Sequence, residues 1–168
     1  WWKVTDAGLV HLKSLTNLQT LSLPRQITDA GLVHLKSLTK LQELELGRTR
    51  ITDEGLVHLA GINLKTLIIP VRAQTDDGLQ HYLAAVEPPM QLDLSRSNGW
   101  KITDEGLAHL KGLINLQELK LRGSRITDEG LMHLKGLKNL QTLSLPRQIT
   151  DAGIAELQQA LPNCKITK

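Results

Sequence analysis

Leu18-Gln-Thr-Leu-Ser-Leu-Pro-Arg-Gln-Ile-Thr-Asp-Ala-Gly31 recurs without a change at Leu140–Gly153. The identity exposes a repeat of 23 to 24 residues that runs through the whole 168-residue chain. A fixed period in this range marks a solenoid, in which each unit buries its apolar face only against its neighbours. Composition agrees: 40% of residues are apolar, yet there is no Phe, one Tyr and three Trp. A core built from Leu and Ile suits stacked equivalent layers.

Two units carry the pattern cleanly, Leu41-Gln-Glu-Leu44-Glu-Leu46-Gly-Arg-Thr49-Arg-Ile51 and Leu116-Gln-Glu-Leu119-Lys-Leu121-Arg-Gly-Ser124-Arg-Ile126. The alternating leucine pairs, Leu44 with Leu46 and Leu119 with Leu121, put apolar side chains on one strand face. Each strand is followed by Ile-Thr-Asp-(Glu/Ala)-Gly-Leu, as at Ile51–Leu56 and Ile126–Leu131. Thr52 and Thr127 are read as helix N-caps, with the acids after them favoured in the first turn. Leu32, Leu35 and Leu38 fall at helical spacing and are expected to point inward, with Val33 and Ser37 outward.

These units match the template L-x-x-L-x-L-x-x-N/C-x-L, with Thr49, Ser97 or Ser124 in the N/C slot. The chain therefore resembles the leucine-rich-repeat family over essentially its full length. The Ile-Thr-Asp-x-Gly-Leu segment is most similar to the cysteine-containing subclass and to related bacterial repeat proteins. The resemblance implies an α/β solenoid of about seven repeats, with a curved parallel sheet inside and short helices outside. It says less about function, which resides in a surface rather than in the repeat. Residues 1–168 are read as a single domain of this kind. Trp2-Lys3-Val4-Thr5-Asp6 echoes Trp100-Lys101-Ile102-Thr103-Asp104, so the chain opens in mid-repeat and is expected to be a fragment or processed form. Trp1 and Trp2 are expected to cover the N-terminal layer, and the compartment stays open.

The irregular units carry more information. The third is a residue short around Gly61–Leu64, with Arg72 in the N/C slot and Gln74 where siblings have isoleucine. The fourth holds a three-residue insertion in Ser95-Arg-Ser-Asn-Gly-Trp-Lys101. Insertions in solenoids map to loops on one rim, often the binding rim, although surface loops also drift freely.

Little points to chemistry. Six histidines, His11, His34, His58, His81, His109 and His133, share one repeat position. Packed helices lie roughly 8–10 Å apart, whereas zinc needs several donors about 2 Å from one ion. The Asp-Glu pairs at 53–54, 104–105 and 128–129 sit at helix starts, where the dipole accounts for them. No metalloprotease, dinucleotide, phosphate-loop or nucleophile-elbow motif occurs. The reading is non-enzymatic, with no catalytic residue, cofactor or metal ligand assigned. Cys164 is the lone cysteine and is read as a core leucine's substitute.

A surface remains. Before the first paired leucine stand Thr20, Glu43, Thr66, Gln91, Glu118 and Thr142; between the pair stand Ser22, Glu45, Ile68, Asp93, Lys120 and Ser144. At the strand exit come Arg25, Arg48, Val71, Arg96, Gly123 and Arg147, with Arg122 adjacent. This predicts a mildly acidic concave centre and one basic rim. Arginine is favoured at interface hot spots and grips carboxylates bidentately. The candidate partner-binding set is Arg25, Glu43, Glu45, Arg48, Asp93, Arg96, Trp100, Glu118, Lys120, Arg122 and Arg147, with Trp100 as the aromatic anchor or a cover for the core.

A net charge of +3 is mild, and the acids would repel phosphates, so a protein partner is favoured over nucleic acid. No stretch approaches the roughly 18 apolar residues of a membrane span. Two alternatives stand beside the binding module. One is a spacer, monomeric or weakly stacking end to end through uncapped layers. The other is polyanion binding through the arginine rim.

Overall fold

A computed structural model describes residues 4–168; the reading of Trp1 and Trp2 as a cover lies outside the described residues. The chain divides into two compact units, Trp1–Glu87 and Pro88–Lys168. In the first, strands β1 (Thr20–Ser22), β2 (Glu43–Glu45) and β3 (Thr66–Ile68) form a parallel sheet in that order. In the second, β4 (Gln91–Asp93), β5 (Glu118–Lys120), β6 (Thr142–Ser144) and β7 (Lys165–Thr167) do the same. Each strand has an apolar residue at its centre, and these pair in register, Leu21 with Leu44 and Leu67, Leu92 with Leu119, Leu143 and Ile166. The flanking residues therefore share the opposite face, in the order that the repeat predicts. This is the α/β leucine-rich-repeat solenoid fold.

The helices are α1 (Asp29–Leu32), α2 (Asp53–Leu56), α3 (Asp76–Ala85), α4 (Asp104–Ala108) and α5 (Asp151–Ala160). α1 and α2 complete one α-turn and run on as 3-10 turns, Val33–Ser37 and Val57–Leu59, before the chain returns to the sheet. The segment Gly130–Leu134 is 3-10 helix throughout. Among the described residues only α3 and α5 reach ten residues. They are also the two headed by a bonded cap, since Thr75 Oγ1 accepts from Gly78 N and Thr150 Oγ1 from Gly153 N, both at 3.0 Å.

The threonine also does something else, at capped and uncapped helices alike, and the N-cap reading of Thr52 needs correction. Thr52 sits at the cap position with no side-chain cap bond. Its backbone N–H donates to Asp29 Oδ1 at 2.8 Å and its hydroxyl to Asp29 Oδ2 at 2.7 Å. Asp29 belongs to the preceding repeat. The same two-point grip joins Asp6 to Thr28, Asp104 to Thr127 and Asp128 to Thr150, and the hydroxyl grip alone is found between Asp53 and Thr75. Thr127 adds a long 3.3 Å acceptance from Glu129 N, a partial cap. Thr-Asp is thus a clamp between successive layers, and the aspartate serves it besides facing the helix dipole.

The glycine of the motif completes the clamp. A Cβ on Gly55 would lie 2.0 Å from Asp29 Oδ1, and one on Gly130 would lie 2.1 Å from Asp104 Oδ1. Gly31 and Gly153 are approached by Asp6 and Asp128 in the same way. The aspartate of one layer fills the space that a side chain would take in the next.

Leu32, Leu35 and Leu38 are buried as expected, but Ser37 is half-buried with its Oγ enclosed and unbonded, not turned out to solvent. Cys164 is buried, in the leucine role read for it, and burial pushes its thiol up, away from the reactive thiolate. Two slot assignments change. In the third repeat the turn Val71–Ala73 exposes Arg72 and buries Ala73. In the fourth, Ser95 is buried and Ser97 exposed. Both shifts follow from irregular spacing that moves the inward position.

Gln74 is half-buried, and its side-chain oxygen is enclosed without a hydrogen-bond partner among the described residues. An enclosed, unpaired amide oxygen costs about 1–3 kcal/mol. Gln74→Ile, restoring the residue of the sibling repeats, is expected to raise stability by about 1 kcal/mol in urea denaturation. A loss instead would mean that the shortened turn leaves no room for a branched side chain.

Candidate functional site

In the first unit the exposed strand face presents Thr20, Glu43 and Thr66 in one row and Ser22, Glu45 and Ile68 in the next. Thr20 Oγ1 lies 3.5 Å from Glu43 Oε2, and Ser22 Oγ donates to Glu45 Oε2 at 3.2 Å, so the hydroxyls of β1 steady the acids of β2. Arg25, Arg48 and Glu45 line one open groove of about 570 Å³ with Ser22, Leu23 and Pro24. Beside them Ile68 and Val71 are 50% and 58% exposed, an apolar step in an otherwise polar face.

In the second unit the rows are Gln91, Glu118, Thr142 and Lys165, then Asp93, Lys120, Ser144 and Thr167. Lys120 Nζ lies 3.1 Å from Glu118 Oε1. That hydrogen bond first, then the charge of Glu118, with Asp93 adding less, holds the ammonium above its ordinary value. Asp93 also turns its carboxylate to the backbone, accepting from Ser95 N at 3.0 Å. Asp93, Glu118, Lys120 and Arg122 are brought together along a groove of about 440 Å³, and Arg122 reaches across to donate to the carbonyl of Lys168 at 3.1 Å. Arg96 and Arg147 are exposed but do not line it.

Trp100 is the correction. It is 5% exposed, so it covers the core instead of standing out as an anchor. The insertion folds as a turn at Arg96–Asn98, Gly99 reverses the chain at φ 94°, and the indole is delivered inward. A left-handed residue is natural for glycine. Ser95 and Ser97 close the turn with hydroxyls 2.8 Å apart.

The reading also missed residues. Lys165 and Thr167 extend the two rows onto β7, although their alignment with Thr142 and Ser144 was visible in the repeat. Among the histidines, five are half-buried and His11 is exposed. His81 Nδ1 sits 2.9 Å from the carbonyl of Asp53, a packing role. Among the described residues no three His, Cys, Asp or Glu side chains converge on a point that suits a metal ion. No described helix is long and apolar enough to cross a membrane.

Comparison with known proteins agrees on the fold. A family model described as Leucine Rich repeat matches residues 37–60 and 112–135. Among curated proteins nothing matches. Many solved structures are similar, among them the following three. An internalin (inlF) from Listeria monocytogenes str. 4b F2365 is 24% identical with a TM-score of 0.56, over 94% of this chain and 49% of that one. Internalin C2 (inlC2) from the same strain is 23% identical with a TM-score of 0.55, over 96% and 73%. TLR13, solved as its ssRNA13 complex, is 20% identical with a TM-score of 0.56, over 92% and 22%. The chain spans about half the length of the first and under a quarter of TLR13.

Proposed function

We propose that this leucine-rich-repeat protein is a non-enzymatic protein-binding module that uses its exposed strand faces and the arginines at the strand exits. The observation that carries the reading is the row pattern. Charged side chains of both signs stand at registered positions on rigid strands, solvent-facing and free of any part in the core. Such a surface offers directional contacts without a cost for ordering the scaffold. Arg25, Arg48, Arg96, Arg122 and Arg147 are exposed, as donors to a carboxylate-bearing partner must be.

Polyanion binding is the second reading. The TLR13 complex is a case of this fold with single-stranded RNA. Against it here stand Glu43, Glu45, Asp93 and Glu118 on the same faces.

Affinity capture from lysate of the source cells separates these readings, comparing the wild-type chain with Arg25→Glu/Arg48→Glu/Arg147→Glu. The variant is expected to keep its melting curve within about 1 kcal/mol, because exposed charges add little to stability. A protein held by wild type and lost by the variant is the expected result. Recovery of nucleic acid alone would move the reading to the polyanion. An empty list, with light scattering that grows with concentration, would move it to a stacking spacer.

A further inference from the structure

The two units differ in charge. Trp1–Glu87 holds nine Lys and Arg against nine Asp and Glu, whereas Pro88–Lys168 holds eleven against eight. The whole net charge of +3 therefore lies in the second unit. Its groove concentrates three cations, Lys120, Arg122 and Lys165, along β5 and β7. Lys165 has no ion-pair partner among the described residues, and Arg122 spends one N–H on the Lys168 carbonyl, leaving the rest of its five donors. Two carboxylates share the groove, Asp93 and Glu118, and hydroxyls from Thr142, Ser144 and Thr167 fill the spaces between.

We infer that the strand face of the second unit receives an extended acidic peptide segment, an inference that rests on the binding-module reading and gives it a ligand class. An extended peptide presents two kinds of group. Its Asp or Glu side chains match Lys120, Arg122 and Lys165, and its backbone N–H groups match the acceptors Asp93 and Glu118. Crossing from β4 to β7 covers three strand spacings, roughly 14 Å, which four or five extended residues span at about 3.3 Å each. Alternate side chains on one side then fall about 7 Å apart, close enough for two carboxylates to meet two of the three cations.

A phosphodiester strand fits less well. It has no backbone N–H to offer the two carboxylates, which repel its phosphates. No aromatic side chain lines the groove, and single-strand binders gain much of their affinity by stacking bases on aromatics. The face of the first unit differs again, since β2 puts Glu43 and Glu45 at its centre.

Fluorescence anisotropy on the full chain tests the inference with three labelled probes. These are an extended peptide alternating Asp and Ser, the same peptide with Asn for Asp, and an oligouridylate. Wild type is expected to bind the Asp peptide at least about tenfold more tightly than the Asn peptide, losing that preference in high salt. Lys120→Gln/Arg122→Gln/Lys165→Gln should lower that affinity about tenfold or more, while Lys36→Gln/Lys111→Gln, exposed and off the strand faces, leaves it unchanged. If the triple variant is misfolded by circular dichroism, Lys165→Gln alone carries the test. Equal binding of the two peptides, loss through the Lys36/Lys111 variant, or tighter binding of the oligouridylate would each overturn the inference. A lysate partner lost only through Arg25 and Arg48 would sink this groove yet keep the module reading. Peptide binding lost through Lys165→Gln would support the ligand class and the module reading together, whatever the lysate list holds.

Discussion

Gly55→Ala is expected to cost about 3 kcal/mol, lowering the melting temperature by roughly 6–12 °C. The added Cβ would sit 2.0 Å from Asp29 Oδ1 and 2.5 Å from its Cγ. A free side chain would swing aside, but this carboxylate is held at both oxygens by Thr52, at 2.8 and 2.7 Å. Moving it gives up both bonds and leaves a half-buried N–H without its acceptor. Gly136→Ala is the control, because a Cβ there meets nothing within 4 Å. It is expected to be neutral or slightly stabilising, by a few tenths of a kcal/mol, since alanine restricts the unfolded chain. Thermal and urea melts of the two variants decide the matter. If Gly55→Ala melts with wild type, the aspartate relaxes freely and the clamp is not structural.

That clamp marks the boundary of what was legible in the sequence. Period and Leu-x-Leu spacing were enough for strand order and register, down to Ser22 opposite Glu45 and Asp93 opposite Lys120. Register follows because an apolar centre leaves each strand one way to face. The Ile-Thr-Asp-x-Gly-Leu segment was read locally, as cap, dipole and turn, because those rules connect residues three or four apart. Its bonds instead join residues 22 or 23 apart, Asp29 to Thr52 and Asp128 to Thr150. Only stacking brings those together. The invariance of Gly in that slot was a signal, since a residue with ordinary φ needs glycine only where something else occupies its Cβ.

Of the candidate site, the positions were legible and the groupings were not. Rows came from period 2, but which members share a groove depends on side-chain reach. Arg122 turns along the face toward Lys168, while Arg96 and Arg147 stay outside. Trp100 stood open between anchor and core cover, because an insertion's length does not say which way its loop turns; Gly99 turns the chain back and spends the indole on the core. Lys165 was passed over because its strand carries the weakest copy of the repeat.

Asp104→Ala is the second large effect, and its grading separates a clamp from a cap. Asp104 takes the Thr127 N–H at 2.8 Å and its hydroxyl at 2.6 Å, so alanine removes both acceptors and leaves a backbone donor unpaired. A loss of about 3 kcal/mol is expected. Asp104→Asn should cost only about 1 kcal/mol, because the amide oxygen still accepts the N–H while the hydroxyl turns round to accept from the amide. Thr127→Val should fall near the asparagine variant, since the N–H bond survives. If Thr127 were chiefly a cap, Thr127→Val would be the worst of the three and Asp104→Ala mild. The same chemistry sets the acid response. At Asp128, the Thr150 hydroxyl first, then its N–H, and lastly Lys168, hold the carboxyl below its ordinary value; at Asp151 Lys168 does so. A carboxyl lowered by folding adds stability above its unfolded value, near about 3.9, and loses it as pH falls through the folded value. Melting temperature should therefore be level from about pH 7 to 5 and drop below about pH 4, with a shallower drop in Asp128→Asn. An equal acid drop in that variant would mean that the proton lands elsewhere and that the clamps hold the layers without their charge.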